Sequence, residues 1–317
     1  MRLRAQRILG VFSLLALLAA PARTAVAATR HVAKTSVHAT PHRKGTARAH
    51  AARRRGSRRH RHSAPPVGGV YARNAILIDP GTGQVLFEKN SSQTVPIASL
   101  TKLMTALVFL EQKPKLDHEA QVSALDLAGA GHTQLRKGEN VALGDLLHMS
   151  LMCSDNVATR VIAREAGLSQ EDFLERMNHK SAELGLTRTH FVEFTGLDER
   201  NVSSAADVAR MLHAAAHDPL IQEITTTREY VFRTATRLHS IRNTDRLLYG
   251  DRYAVLGGKT GFIVEAGYCF ATWIRMEGRD LIAVVLGAPT VATRFADAVR
   301  LIQKSSTIAA TTPAAGI

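Results

Sequence analysis

The chain has 317 residues, 45% of them apolar and 5% aromatic, with a formal charge of +14. That is the composition of a protein with a buried core, long enough for one large domain or two small ones. The charge is confined to one end: residues 1–65 carry fifteen Lys/Arg and no Asp/Glu, whereas the other 252 carry 26 basic and 27 acidic side chains. A body near neutrality with few aromatics argues against an intrinsically basic nucleic-acid fold, so nucleic acid is not an expected partner.

At the amino end, Arg2, Arg4 and Arg7 precede an apolar run from Ile8 to Ala20, followed by Pro21 and the small-residue site Ala25-Val26-Ala27. This is the pattern of a secretory signal peptide over residues 1–27, cut after Ala27 or Ala28. The run falls short of the roughly 20 residues that span a bilayer, and no later stretch is long and apolar enough. An exported protein without a transmembrane helix after cleavage is expected. Residues 28–66 consist largely of Arg, Lys, His, Ala, Ser and Thr, and end in Arg53-Arg54-Arg55 and Arg58-Arg59-His60-Arg61-His62. Such a segment cannot offset its chain entropy by burial and reads as a disordered tether. Two roles stand open for it: a polycation drawn to anionic envelope polymers or lipid headgroups, or a solvated spacer. Its histidines imply no fixed metal geometry.

Order begins near Val70. Ala75-Ile76-Leu77-Ile78 and Val85-Leu86-Phe87 flank the turn-forming Asp79-Pro80-Gly81-Thr82-Gly83, which predicts a β-hairpin. Leu100, Leu103, Met104, Leu107 and Val108 fall at helical spacing and predict a helix from Ser99 to Gln112. Residues 140–215 read as mostly helical. Strands are expected again over Tyr253–Leu256, Tyr268–Met276 and Leu281–Leu286, then a last helix over Arg294–Lys304. The fold class is therefore α/β (α+β), with an antiparallel sheet built from both chain ends and a helical insert between them. One domain over residues 67–305 and a short disordered tail over 306–317 are expected. Cys153 and Cys269 sit in different elements and read as free thiols rather than a bridge.

Three short motifs carry chemistry. In Ser99-Leu100-Thr101-Lys102, helical spacing sets the lysine one turn from the serine. A neutral lysine amine there can take the proton of a serine nucleophile, provided burial or a second cation lowers its pKa. In Ser154-Asp155-Asn156, a second hydroxyl can relay protons and an amide can orient a substrate carbonyl, although a helix cap accounts for the same residues. In Lys259-Thr260-Gly261, after Gly257-Gly258, a lysine and a hydroxyl on a strand edge can clamp a carboxylate, and the glycines are expected to let substrate backbone come close. A Ser-x-x-Lys pair arises by chance about once in such a chain, and Lys-Thr-Gly on the order of 0.1 times. The combination, in this order, is specific where its parts are not.

With these motifs the chain resembles the low-molecular-weight penicillin-binding proteins of the serine D-alanyl-D-alanine carboxypeptidase and endopeptidase type, whose fold is β-lactamase-like. The resemblance runs over roughly residues 70–303 and takes in the hairpin, Pro96 to Thr105, Gly196-Leu197-Asp198 with Asn201 and Asp207, and Gly258 to Phe262 with Ala266-Gly267-Tyr268. It implies Ser99 as the acylated nucleophile, Lys102 as its base and Ser154 as a proton relay. It further implies that Asn156 positions substrate, Lys259 and Thr260 hold the terminal carboxylate, and the N–H groups of Ser99 and Phe262 form the oxyanion hole. Arg294 matches a family position near the site. Peptidoglycan stem peptides are the implied substrates and β-lactam antibiotics the acylating inhibitors, in the periplasm, with no metal or other cofactor.

The chain stops soon after the last predicted helix, without the family's second domain or anchor helix, and in this it looks more like the endopeptidase branch. A class A β-lactamase shares the three motifs but needs a glutamate base beside an asparagine, and Phe191-Val192-Glu193-Phe194-Thr195-Gly196 has no such asparagine. A catalytically silent wall-binding module is disfavoured by the three intact motifs. A cysteine peptidase around Cys153 lacks any local signature for a paired histidine.

Overall fold

The computed structural model describes residues 69–311, with side chains to Ser305. The expected signal peptide and tether, and residues 312–317 of the expected tail, lie outside the described residues. Backbone is helical as far as Thr311, so the last helix continues into the stretch read as a tail.

In chain order, β1 (Asn74–Ile78) and β2 (Val85–Lys89) form the predicted hairpin, joined through a bulge at Leu77/Ile78. A short β3 (Val95–Pro96) leads into a 3-10 turn, Ala98–Leu100, and then α1 (Thr101–Glu111). Ser99 therefore lies in the tighter turn before α1 rather than in the helix that its spacing predicted. The insert follows: β4 (Glu119–Gln121), α2 (Ala124–Leu127), β5 (Asn140–Ala142), α3 (Leu143–Met152), α4 (Asn156–Arg164) and α5 (Gln170–Glu183). Next come β6 (Val202–Ser203), α6 (Ala205–Ala216) and α7 (Pro219–Thr226). A separate hairpin, β7 (Glu229–Arg233) with β8 (Leu238–Arg242), precedes the long strands β9 (Ala254–Ile263), β10 (Gly267–Met276) and β11 (Arg279–Ala288), and α8 (Val291–Thr311) closes the chain.

The main sheet has the order β2-β1-β11-β10-β9, antiparallel throughout, so strands from both ends of the chain meet at β1 and β11. Successive side chains of a strand point to opposite faces, and both faces here are covered. On β11, Leu281, Ala283 and Val285 pack with Phe295, Ala298, Leu301 and Ile302 of α8, while Ile282, Val284 and Leu286 join the core shared with α1 and α6. Helix α1 is buried almost all round, from Thr101 through Val108 and Phe109, as a helix at the centre of a domain must be. Burial on that scale places Lys102 in the interior. β9 ends the sheet, which leaves one of its edges free of strand pairing. The first described residues are tied down by Asp297 of α8, whose carboxylate accepts from the amides of Tyr71 and Ala72 at 2.9 and 2.7 Å.

Candidate active site

The site lies where the turn before α1, the start of α4 and the strand β9 converge. The turn has an unusual backbone: Ala98 has φ +50°, a left-handed value costly for a residue with a Cβ. Its surroundings are tightly packed. Gly196 lies so close that a Cβ on it would stand 1.9 Å from the Ala98 carbonyl oxygen, and a Cβ on Gly261 of β9 would stand 3.1 Å from the Ser99 amide. Glycines at both positions let a loop and a strand close on Ser99 from either side. The preceding Gly257 and Gly258 do something else than expected. Their hypothetical Cβ atoms meet Ala216 of α6 at 2.9 Å and the Asp245 carboxylate at 2.7 Å, so they serve packing inside the protein rather than approach of substrate.

Lys102 is fully buried, with its Nζ 3.0 Å from Ser99 Oγ, 2.7 Å from Asn156 Oδ1 and 2.6 Å from the Thr195 carbonyl oxygen. Burial pushes its pKa down to about 7, against the pull of the Glu193 and Asp155 carboxylates. A large fraction of the amine is therefore neutral at physiological pH and able to accept the Ser99 proton. Asn156 is held by a second bond, Nδ2 to the Ala130 carbonyl at 2.8 Å. Asp155 caps α4 by accepting from Ala158 N at 3.0 Å, and its other oxygen takes the Thr133 hydroxyl at 2.7 Å. For Asp155, then, the helix-cap reading of the second motif holds. It turns the chain so that Ser154, with φ +64°, and Asn156 both face the cleft.

Ser154 is joined to the strand rather than to Lys102: its oxygen accepts from Lys259 Nζ at 2.5 Å. Lys259 is as buried as Lys102, and its Nζ also donates to the Thr260 carbonyl at 2.9 Å. Burial first, and then the Lys102 charge, hold its pKa well below the usual lysine value. Thr260 Oγ1 lies 2.7 Å from Thr244 Oγ1, and Thr244 is fixed to the end of α3 by its amide and hydroxyl, both on Met152 O at 3.0 and 3.1 Å. The side chain of Phe262 is half exposed and stacks on Tyr268 at 4.3 Å between centroids. Arg294 is buried behind β9, with Nη1 on the carbonyls of Gly261 and Cys269 at 3.2 and 3.3 Å.

The six residues singled out by the motifs thus come together; Phe262, implied by the resemblance, follows Gly261 on the same strand as Lys259 and Thr260, and Arg294 supports that strand. Sequence reasoning did not single out Thr195, Glu193 or Thr244. Glu193 accepts from Thr195 N at 2.7 Å, Thr195 Oγ1 at 2.6 Å, Gly196 N and Asn201 Nδ2 at 2.9 Å, fixing the loop whose carbonyl holds Lys102. The signal was present in Gly196 and Asn201, whose roles are both to shape this loop. Both cysteines are free, Cys269 buried and Cys153 half-buried. Burial and the neighbouring Asp155 push the Cys153 thiol up to about 12, which argues against a thiolate nucleophile there. Among the described residues no three His, Cys, Asp or Glu side chains gather as a metal site.

A family model described as D-alanyl-D-alanine carboxypeptidase matches residues 59–290. The chain belongs to that family. It is 35% identical to the D-alanyl-D-alanine endopeptidase of Pseudomonas aeruginosa, over 75% of this chain and 80% of that one, and 34% identical to the enzyme of the same name from Escherichia coli K12, over 73% and 76%. Among solved structures, the Streptomyces K15 DD-transpeptidase superposes with a TM-score of 0.70 at 25% identity, covering 75% of this chain and 98% of that one. The expected β-lactamase-like DD-peptidase fold is the one observed. Members of the family are serine DD-peptidases. No helix among the described residues is long and apolar enough to cross a membrane.

Proposed function

We propose that this serine DD-peptidase hydrolyses D-Ala-containing peptide bonds of peptidoglycan stem peptides through an ester on Ser99. The observation that carries the proposal is the 3.0 Å contact between Ser99 Oγ and a fully buried Lys102 whose pKa is about 7. Ser99 Oγ attacks the carbonyl of the D-Ala residue, and its proton passes to Lys102 Nζ. The developing oxyanion is met by the N–H groups of Ser99 and Phe262. Lys259 and Thr260 hold the carboxylate of the leaving group, and Asn156 orients the substrate backbone. Arrival of that carboxylate favours the charged form of Lys259, which burial and the Lys102 charge disfavour. As the tetrahedral adduct collapses and the peptide C–N bond breaks, the proton held by Lys102 Nζ passes by way of the Ser154 hydroxyl to the departing amine, which leaves Lys102 neutral. Water then attacks the ester with Lys102 again as base, regenerating Ser99 and releasing a new carboxylate.

Cross-link endopeptidase activity is proposed to exceed carboxypeptidase activity. Support comes from the likeness to two relatives named endopeptidase, 35% and 34% identical over 80% and 76% of their length, whereas a relative named carboxypeptidase that is matched over 85% of its length is 29% identical. Export to the periplasm through the signal at residues 1–27, with the basic segment 28–66 dwelling near anionic envelope polymers, completes the reading.

Mass spectrometry after incubation with a fluorescent penicillin tests the nucleophile. One adduct on the Ser99 peptide is expected, and none in Ser99→Ala; an unlabelled native protein or a labelled Ser99→Ala variant overturns the assignment. Digestion of purified muropeptides tests the preference, which fails if pentapeptide monomers are trimmed while cross-linked dimers persist. Amino-terminal sequencing of periplasmic protein is expected to start at Ala28 or Thr29.

A further inference from the structure

Next to Thr260, across Thr244, lies a hollow of about 540 Å³ lined by Arg242, Asn243, Thr244, Arg246, Tyr249, Val291 and Arg294, and no carboxylate among the described residues lines it. Thr244 is the hinge between the two spaces, since its hydroxyl touches the Thr260 hydroxyl that the proposed mechanism gives to the leaving-group carboxylate. The three arginines are not equivalent. Arg242 is already paired with Glu229 at 3.0 Å, and Arg294 is buried with its Nη1 on strand carbonyls. Arg246 is exposed and has no ion pair among the described residues. Arg246 and Arg294 lie over the same Phe295 ring, 5.6 and 4.7 Å from its centroid, and repel one another: after burial, Arg246 contributes to holding Arg294 down to about 10. The nearest carboxyl, Asp245, is buried and accepts from Leu247 N at 2.8 Å, with its own pKa pushed up to about 7, so it offsets the pair poorly.

Two cations held close by a shared ring, without an anionic partner, form a positive hollow on the leaving-group side of the scissile bond. The two candidate reactions differ there. A carboxypeptidase releases a single D-alanine, whose one carboxylate is satisfied at Lys259 and Thr260. Cleavage of a cross-link releases an amine that belongs to a second stem peptide, which has the same first carboxylate and then further ones along its length. We infer that the hollow centred on Arg246 is a subsite for the additional carboxylates of the acceptor stem peptide, and that it favours cross-linked dimers over monomers. This rests on the proposed DD-peptidase mechanism and adds no chemical step to it. The bond cleaved and the path of the proton are unchanged, and Arg246 acts on affinity alone.

The test compares native protein, Arg246→Ala, Arg246→Glu and Arg246→Lys on three reagents: benzylpenicillin, a pentapeptide monomer, and a cross-linked stem-peptide dimer. The dimer is prepared with the acceptor carboxylates beyond the scissile amine either free or amidated. Exposed charge pairs are weak individually, so Arg246→Ala is expected to raise KM for the free-acid dimer about three- to five-fold with kcat unchanged. Reversal of the charge in Arg246→Glu is expected to raise it roughly ten-fold, with Arg246→Lys near native. The amidated dimer should respond to none of these changes, and added salt should erode the native preference. Penicillin, which has no acceptor strand, should acylate all four proteins alike, which also shows that each is folded. If penicillin acylates normally but the substitutions leave dimer KM unchanged, the inference fails and the mechanism stands. The same conclusion follows if monomer and dimer change together, or if native protein does not cleave dimers. If native protein is not acylated at Ser99, the underlying mechanism fails instead.

Discussion

The helical wall of the cleft and its strand wall each bury one lysine almost completely, yet the two amines have opposite surroundings. Lys102, on α1, is met by three oxygens from three separate segments and feels the carboxylates of Glu193 and Asp155, which limit its fall to a pKa of about 7. Lys259, on β9, has only Ser154 and its own neighbouring carbonyl, and the charges of Lys102 and Arg294 act against it. Equal burial therefore produces two different groups. One is balanced near neutrality and suited to exchanging a proton. The other is short of a counter-charge and suited to receiving an anion. Burial supplies the shift in both cases, and the sign of the nearby charges assigns the work.

The largest way to break that contrast is to remove each amine in turn. Lys102→Ala should slow acylation by a fluorescent penicillin roughly 10²–10⁴-fold, the range for loss of a general base, and should do so in the chemical step at saturating inhibitor. Next in size is the pH dependence of the native protein. Only the neutral amine accepts the serine proton, and its population falls ten-fold per unit below its pKa. The acylation rate should therefore rise about 50-fold from pH 5 to pH 7 and about 100-fold in all, levelling off above roughly pH 8. A rate that is flat over this interval, or that falls as pH rises through 7, removes Lys102 from the role of base. Lys259→Ala should cost about 10- to 150-fold, the loss of one charge-assisted hydrogen bond, and the loss should appear in the affinity of carboxylate-bearing substrates. If the two variants lost the same factor in the same kinetic constant, the division between proton exchange and anion binding would be wrong.

How much of this was legible beforehand follows from what kind of signal each part leaves. Alternating strands and the helical stripe of α1 are local periodicities, and they located the hairpin, β10, β11 and α1 within a few residues. The apolar pattern of strand β9 runs only to Leu256, where glycines, a lysine and threonine interrupt it; the strand expected for Lys259 and Thr260 is the same one, carried by backbone pairing through to Ile263. Ser99 lies in a 3-10 turn after the left-handed Ala98, packed against Gly196 and Gly261 of distant segments, and nothing in the spacing of the motif encodes that packing. The six motif residues are legible as types. The partners that give Lys102 its pKa were less so, because a backbone carbonyl such as that of Thr195 has no residue signature. Glu193 was weighed only as the missing base of a different enzyme, whereas its carboxylate binds its own loop.

The smallest prediction bears on that residue and sharpens the contrast most. Glu193→Gln keeps the shape of the side chain and removes the leading attractive charge on Lys102. An ammonium that has lost its anion is less favoured, so the Lys102 pKa should fall, and the inflection in the acylation profile should move roughly half a unit to lower pH. An amide also cannot accept all the hydrogens that the carboxylate takes from Thr195, Gly196 and Asn201, so the loop should loosen, at a cost of about 1–3 kcal/mol in denaturant melts. The two effects separate the ways in which Glu193 could act. If the inflection moves down while the plateau rate stays, the residue works on Lys102 through charge. A fall in the plateau with an unmoved inflection would mean that it works only by holding Thr195 in place. An inflection that moved upward would show that its charge does not reach Lys102, and the balance that distinguishes the helical wall from the strand wall would then have to rest on Asp155 alone.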